Sequence, residues 1–297
     1  MPKKRSALRN RAEAALVGLV RSGLRRVPVE AAEAAGRRLG LVYRAIDRRR
    51  RRLADENLAL AFPEMSAAAR EALSMAVFEH FGGLAADLLH AVDEPNERLL
   101  SRIEIEGLEH VRAAASSGGG FFFMTPHLGC WEYSAIVTAA HGFPMTVISR
   151  PLDNPLLEAE VRRLRERTGN AVIHKDEAAR EILRLLRKGR AVGILADQRA
   201  RKADAVVVPF FGRPAATTSA VARFVARTGS PVVPAACVRI APARWRCTYH
   251  APLDVRGMEP AEREPEALTA RLNLVIESLI REHPEQWLWL HNRWRLD

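Results

Sequence analysis

His127 and Glu132 are the two residues whose types and spacing could do chemistry. A histidine held by a carboxylate is a general base, because the carboxylate fixes the tautomer, orients the ring and stabilises the imidazolium that forms. On one continuous helix two residues five apart point about 140° from each other, but on a turn that leads into a helix they can meet. Spacing alone carries little weight: nine histidines and 35 acidic residues in 297 give about one such pair by chance. The setting carries more. Phe121 to Met124, the most hydrophobic strand-like run, leads straight into Thr125-Pro126-His127-Leu128-Gly129-Cys130-Trp131-Glu132, after which Tyr133 to Ala140 reads as helix. Pro126 keeps Thr125 extended, which leaves His127 in the turn and Glu132 near the helix start. Strand, turn and helix in that order expose a side chain at the C-terminal edge of an α/β sheet. Cys130 raises the reading of a thiol nucleophile, as in a thioesterase, although its place at the helix start suits a small buried filler.

Other polar residues occupy comparable edges. Arg150 follows a strand-like run and precedes the helix start at Asn154, a place suited to an anionic headgroup; a surface ion pair with Asp153 is the structural alternative. Asp197, Gln198 and Arg199 end the strand-like run Ala191 to Ala196 and are expected to line the same cleft as His127. Thr217, Thr218 and Ser219 are read as a helix cap, and Trp287, Trp289 and His291 as one side of an extended segment, with core packing expected for the tryptophans. No cluster of His, Cys, Asp or Glu has metal-ligand spacing, and no glycine-rich phosphate loop follows a strand. Neither a metal nor another cofactor is expected.

The elements that must position these residues follow from punctuation. A helix is predicted over Val29 to Leu60, another over residues 66 to 91 with Ser66 as cap, and a break at Pro95. From about residue 101 strand-like runs at residues 103–105, 120–124, 145–149, 171–174, 191–196, 206–210 and 232–240 alternate with helical segments. Asn154 and Pro155 open one of these helices, and Gly169-Asn170 close it. Alternation of this kind predicts an α/β domain whose sheet is covered by helices. We expect residues 1–60 to form basic amphipathic helices and residues 61–297 the α/β domain, with 61–100 as a helical lead-in.

Charge is concentrated at one end. The chain carries a formal +11, yet residues 1–52 hold 16 Lys and Arg against four Asp and Glu, so the remainder is close to neutral. No uncharged run in this segment approaches the ~20 residues of a spanning helix, and Ala113 to Trp131 is broken by Gly-Gly-Gly and Pro126. A basic helix with one apolar side can lie on an anionic membrane surface. Nucleic acid is the weaker candidate, since no aromatic residue interleaves the run Arg48 to Arg52. Three cysteines without a CxxC pair exclude a disulfide framework.

The block Thr125 to Glu132 resembles the His-x4-Asp/Glu motif of glycerolipid and lysophospholipid acyltransferases, and the chain around it resembles their bacterial lipid A biosynthesis branch. Supporting blocks run from Arg52 to Ser66, Ser149-Arg150-Pro151 with Asn154-Pro155, Gly193 to Gln198, Val208 to Gly212, and Trp287 to Trp294. They stand in family order from about residue 30 onward. The resemblance implies a glycerol-3-phosphate acyltransferase-like fold with a mixed central sheet. It implies transfer of a fatty acyl group from a thioester of acyl carrier protein to a hydroxyl of a lipid A precursor or related glycolipid, at the cytoplasmic face of the bacterial inner membrane. His127 would be the general base, Glu132 its orienting partner, and Arg150, Asn154, Asp197, Gln198 and Arg199 substrate-binding residues. Family members often begin with a hydrophobic membrane helix, where this chain offers only its basic amphipathic segment. A lysophospholipid acceptor, a thioesterase and a basic nucleic-acid-binding protein are the alternatives.

Overall fold

The computed structural model describes residues 6–174, 178–201 and 205–296; the first basic residues, Lys3 to Arg5, lie outside them. The N-terminal helices are α1 (Ala7–Leu24), α2 (Val29–Ile46) and α3 (Arg48–Ala61), followed by α4 (Ala67–Ala91) and the short α5 (Asn96–Leu100). Where the sequence predicts one helix over 29–60, the chain breaks at Asp47. The Asp47 carboxylate accepts the backbone N–H of Arg50 at 2.9 Å, so the side chain that would sit mid-helix caps a new helix instead.

Strands and helices then alternate: β1 (Ile103–Glu106), α6 (Leu108–Ala115), β2 (Phe122–Thr125), α7 (Trp131–Ala140), β3 (Met145–Ser149), α8 (Pro155–Glu166), β4 (Ala171–His174), α9 (Ala178–Arg187) and β5 (Ala191–Leu195). After these come β6 (Ala205–Phe210), β7 (Arg213–Thr218), α10 (Ala220–Thr228), β8 (Val232–Ala241), β9 (Arg244–Tyr249) and α11 (Pro265–Glu282). Seven strands form one mixed sheet in the order β1-β9-β8-β2-β5-β3-β4. The strands from β8 to β4 are parallel to their neighbours, and β9 is antiparallel to β8. The β6-β7 hairpin stands apart as a second, two-stranded sheet. The sequence reading assigns no strand to the segments of β7 and β9. Both follow tight turns with a non-glycine residue in the left-handed region: Phe211, followed by Gly212, has φ of 51°, and Ala243 has φ of 53°.

The sheet has two apolar faces because alternate residues of a strand point opposite ways. Phe122 and Met124 with Val192 and Val232 pack toward Ile182, Val225 and Ile276 of α9, α10 and α11. Phe121 and Phe123 with Met145 and Val233 pack toward Tyr133, Ile136 and Leu164 of α7 and α8. The strand β2 is buried on both sides, as expected at the centre of a parallel sheet.

By length and composition α4 is the one helix among the described residues that could cross a membrane. Its Asp87 is buried and accepts hydrogen bonds from Arg102, Trp245 and Tyr133, which ties the helix to the sheet. Its other partner is α2, and the two backbones approach through glycines. A Cβ on Gly40 would lie 2.0 Å from the Phe78 carbonyl oxygen, and one on Gly36 2.4 Å from that of Gly82. Gly40→Ala is therefore expected to force the helices apart and to destabilise the protein by about 1–3 kcal/mol, measured by urea denaturation.

Candidate active site

The β2-β5 pairing aligns Thr125 with Leu195, so the residues two further on, His127 and Asp197, leave the sheet side by side. Asp197 accepts the His127 backbone N–H at 2.8 Å and lies 2.7 Å from Nδ1 of the same residue. The Trp287 indole donates to the second carboxylate oxygen at 2.7 Å. The turn itself is strapped from two sides. Cys130 donates its N–H to the Cys237 carbonyl on β8, Gly129 donates to the Gln286 carbonyl, and Leu288 donates to the His127 carbonyl. Gly129 has φ of 57°, and a Cβ there would lie 2.0 Å from the Cys237 oxygen; only glycine lets the turn sit this close to β8.

Burial disfavours a charge on both partners of the pair. For His127 the Asp197 charge and hydrogen bond, with a smaller contribution from the Glu132 charge, outweigh burial and raise its pKa above the ordinary 6.5. For Asp197 the His127 charge, the two hydrogen bonds from that residue and the Trp287 indole outweigh burial and hold the carboxyl below the usual range. An ionised carboxylate only accepts hydrogen bonds, so Nδ1 of His127 carries the proton and Nε2 of the neutral ring presents its lone pair. Gln198 Nε2 lies 3.2 Å from that atom, and the Trp131 ring packs edge-on against the imidazole with centroids 4.9 Å apart. A hydroxyl that displaced the Gln198 amide would meet a poised base.

The carboxylate on His127 is thus that of Asp197, and Glu132, expected in that place, is engaged elsewhere. Arg165 on α8 clamps it through two charge-assisted hydrogen bonds of 2.8 and 2.6 Å, and the Trp131 indole donates to it at 3.2 Å. Both members of this ion pair border the cleft.

That cleft, of about 560 Å³, is within the range of small-molecule sites. Its mouth carries His127, Ser149, Arg150, Gln198 and Arg199, and it descends between the sheet and helices α7 and α8 past Val147 and Val161 to Phe123 and Met145. Gly193, on the sheet face, leaves room that a side chain would fill: a Cβ there would lie 2.6 Å from the Met145 sulfur. Arg150 stands exposed at the mouth, 4.0 Å from Asp153. Asn154 is not in the cleft lining; its carbonyl oxygen caps α8 and its amide donates to the Asn10 carbonyl on α1. The Arg199 N–H donates to His291, whose imidazole burial holds near pKa 4 and hence neutral. Burial pushes the Cys130 thiol well above its ordinary pKa, and the thiolate that nucleophilic catalysis needs is suppressed. Thr218, not Ser219, bonds the N-terminus of α10, and Thr217 bonds the buried Arg293. Trp287 and Trp289 are buried as expected, although their segment is not a strand. Among the described residues no cluster of His, Cys, Asp and Glu could hold a metal ion.

Sequence reasoning missed Arg165 and Trp287 as site residues. The one available signal for Arg165 was its place one turn after Val161 on an amphipathic helix, which puts both on one face.

A histidine-carboxylate pair at the mouth of a mostly apolar cleft of this volume is an arrangement suited to moving acyl chains. The chain matches the family model described as bacterial lipid A biosynthesis acyltransferase over residues 1–296, belongs to that family, and is an acyltransferase. It is 29% identical over 261 residues to the lipid A biosynthesis palmitoleoyltransferase of Escherichia coli (strain K12), covering 88% of this chain and 83% of the relative. It is 27% identical over 258 residues to the lauroyltransferase of that organism (86% and 83%) and 25% identical over 255 residues to the myristoyltransferase (85% and 77%).

With neutral His127 as base and its pKa raised, kcat/KM is expected to fall as pH drops through a value above 6.5. Asp197→Asn removes the charge that raises it, so this acid limb should move to lower pH while the plateau falls about 10²- to 10⁴-fold. An unmoved limb in a pH-rate profile would show that Asp197 does not set it.

Proposed function

We propose that this protein transfers a fatty acyl group from the thioester of acyl carrier protein to a hydroxyl of a lipid A precursor, at the cytoplasmic face of the inner membrane. The observation that carries the reading is the His127-Asp197 pair, whose Nε2, beside the Gln198 amide, faces a largely apolar cleft of about 560 Å³. Family membership and the names of the relatives support the acceptor. His127 Nε2 takes the proton of the acceptor hydroxyl as its oxygen attacks the thioester carbonyl carbon. The tetrahedral intermediate collapses, the C–S bond breaks, and the imidazolium returns the proton to the leaving thiolate. Asp197 holds the ring and stabilises the imidazolium. Arg165 and Glu132 form a paired, neutral polar patch on the cleft wall. Arg150 and Arg199 at the mouth suit an anionic acceptor headgroup. No step runs through Cys130.

The test is transfer of labelled acyl groups from acyl carrier protein to lipid A precursor in detergent micelles. His127→Ala should lose activity by about 10²-fold or more, and Cys130→Ala should retain it. Undiminished transfer by His127→Ala would overturn the mechanism, and release of free fatty acid without acceptor would indicate a thioesterase. Gly193→Ala, which pushes a methyl group against Met145 at the cleft floor, is expected to shift the product toward shorter acyl chains, read by mass spectrometry of the lipid.

A further inference from the structure

A surface helix of a soluble protein buries its large apolar residues and exposes its polar ones, and the C-terminal half of α2 departs from that pattern. Val29, Glu33 and Arg44 are buried on the inner face of α2, but where the helix comes closest to α4 the residues are small: Gly36 and Gly40 sit so near the α4 backbone that no side chain larger than hydrogen fits at either. Its outer face carries Leu39, Val42, Tyr43 and Ile46, which are 66, 52, 45 and 75% exposed. Their spacing of three, four and seven puts them on one stripe. Small residues between helices and large apolar ones facing outward is the packing of helices in lipid.

The neighbourhood extends the stripe. No residue of α1 is buried, and Leu16 and Leu19 are 63 and 72% exposed. Between the two helices runs an apolar groove of about 380 Å³, bordered by Val20, Leu24, Leu39, Tyr43, Phe81 and Leu290. Directly beyond Ile46 stand Arg48, Arg49 and Arg52, exposed around a cavity of their own. Arg51 pairs with Asp55 and Glu71, whereas these three guanidinium groups form no ion pair among the described residues. Residues 1–52 carry a net charge of +12.

We propose that the outer face of α2, with α1 beside it, seats in the interface of an anionic lipid bilayer, with Leu39, Val42, Tyr43 and Ile46 below the headgroups and Arg48, Arg49 and Arg52 on their phosphates. This deepens the membrane-surface part of the proposed function by assigning the contact face and its depth. Charge complementarity supports this occupant, because the arginine cluster next to the apolar stripe matches the phosphates of anionic lipid. The cleft is tied to the face by the C-terminal segment: Leu290 borders the groove, and its neighbour His291 accepts the N–H of Arg199 at the cleft mouth.

The test is flotation of the full chain with vesicles of phosphatidylglycerol and phosphatidylethanolamine, or of phosphatidylcholine alone, at low and high salt. Wild type should bind the anionic vesicles, more weakly but measurably in high salt. Leu39→Ser combined with Ile46→Ser alters only exposed side chains, and an unchanged thermal midpoint will verify its fold. It should lose at least about tenfold in vesicle affinity at both salt concentrations. Arg48→Gln with Arg49→Gln and Arg52→Gln should lose the preference for anionic lipid. Wild-type affinity in the serine variant would mean that charge alone binds, and would overturn the proposal. So would folded wild type that binds no vesicles, or that forms a dimer which the serine variant dissociates. His127→Ala should float like wild type, so the lipid contact and the acyl-transfer reading fail separately.

Discussion

The Asp197 carboxylate accepts two hydrogen bonds from His127 and one from the Trp287 indole, and the geometry of three distant chain segments depends on it. It joins the turn after β2, the end of β5 and the C-terminal segment at one buried point. An ionised carboxylate is costly to bury unless it is fully bonded, and this one is bonded on both oxygens. Its negative charge raises the His127 pKa and fixes the tautomer, so one interaction sets both the position and the protonation of the imidazole. The β2-β5 register makes it possible. A slip by one residue would turn every side chain of the strand to the other face and separate the pair.

The cleft depends on what the sheet leaves out. Gly193 and Ala235 are small residues on the face that α7 and α8 cover, and the space they leave lies beside Phe123, Met145 and Val147. Below the mouth, where Arg150 and Arg199 stand, the cleft wall carries a paired group. Glu132 and Arg165 neutralise each other through a two-pronged contact, which offsets the desolvation of both. A second buried ion cluster, Arg102 with Asp87 and Glu94, anchors α4 behind the site.

That anchoring gives α4 its unusual position between the catalytic sheet and the N-terminal helices. One face of α4 supplies Asp87 to the core, and another supplies Phe78 and Gly82 to the close contact with α2. The glycines of α2 are spent on this contact, which leaves its large apolar residues outward. The outward apolar face of α2 and the active site are in this sense built against the same helix.

The sequence by itself determined the alternation of strand and helix, the turn carrying His127, and the caps at Ser66 and Asn154, because these depend on local preferences and on periodicity. The mixed sheet expected from the resemblance is present. It also placed Asp197 and Gln198 at the end of a strand, where side chains collect at a sheet edge. Only the tertiary structure decided that Asp197, rather than Glu132, meets the histidine. Strand order is not encoded in spacing: β5 lies beside β2 across some seventy residues of chain, whereas Glu132, five residues from His127, is drawn to an arginine on α8. The break at Asp47, the strands β7 and β9 and the inward glycines of α2 were likewise hidden, since each is set by a partner elsewhere in the chain or by a capping choice that competes with helix continuation.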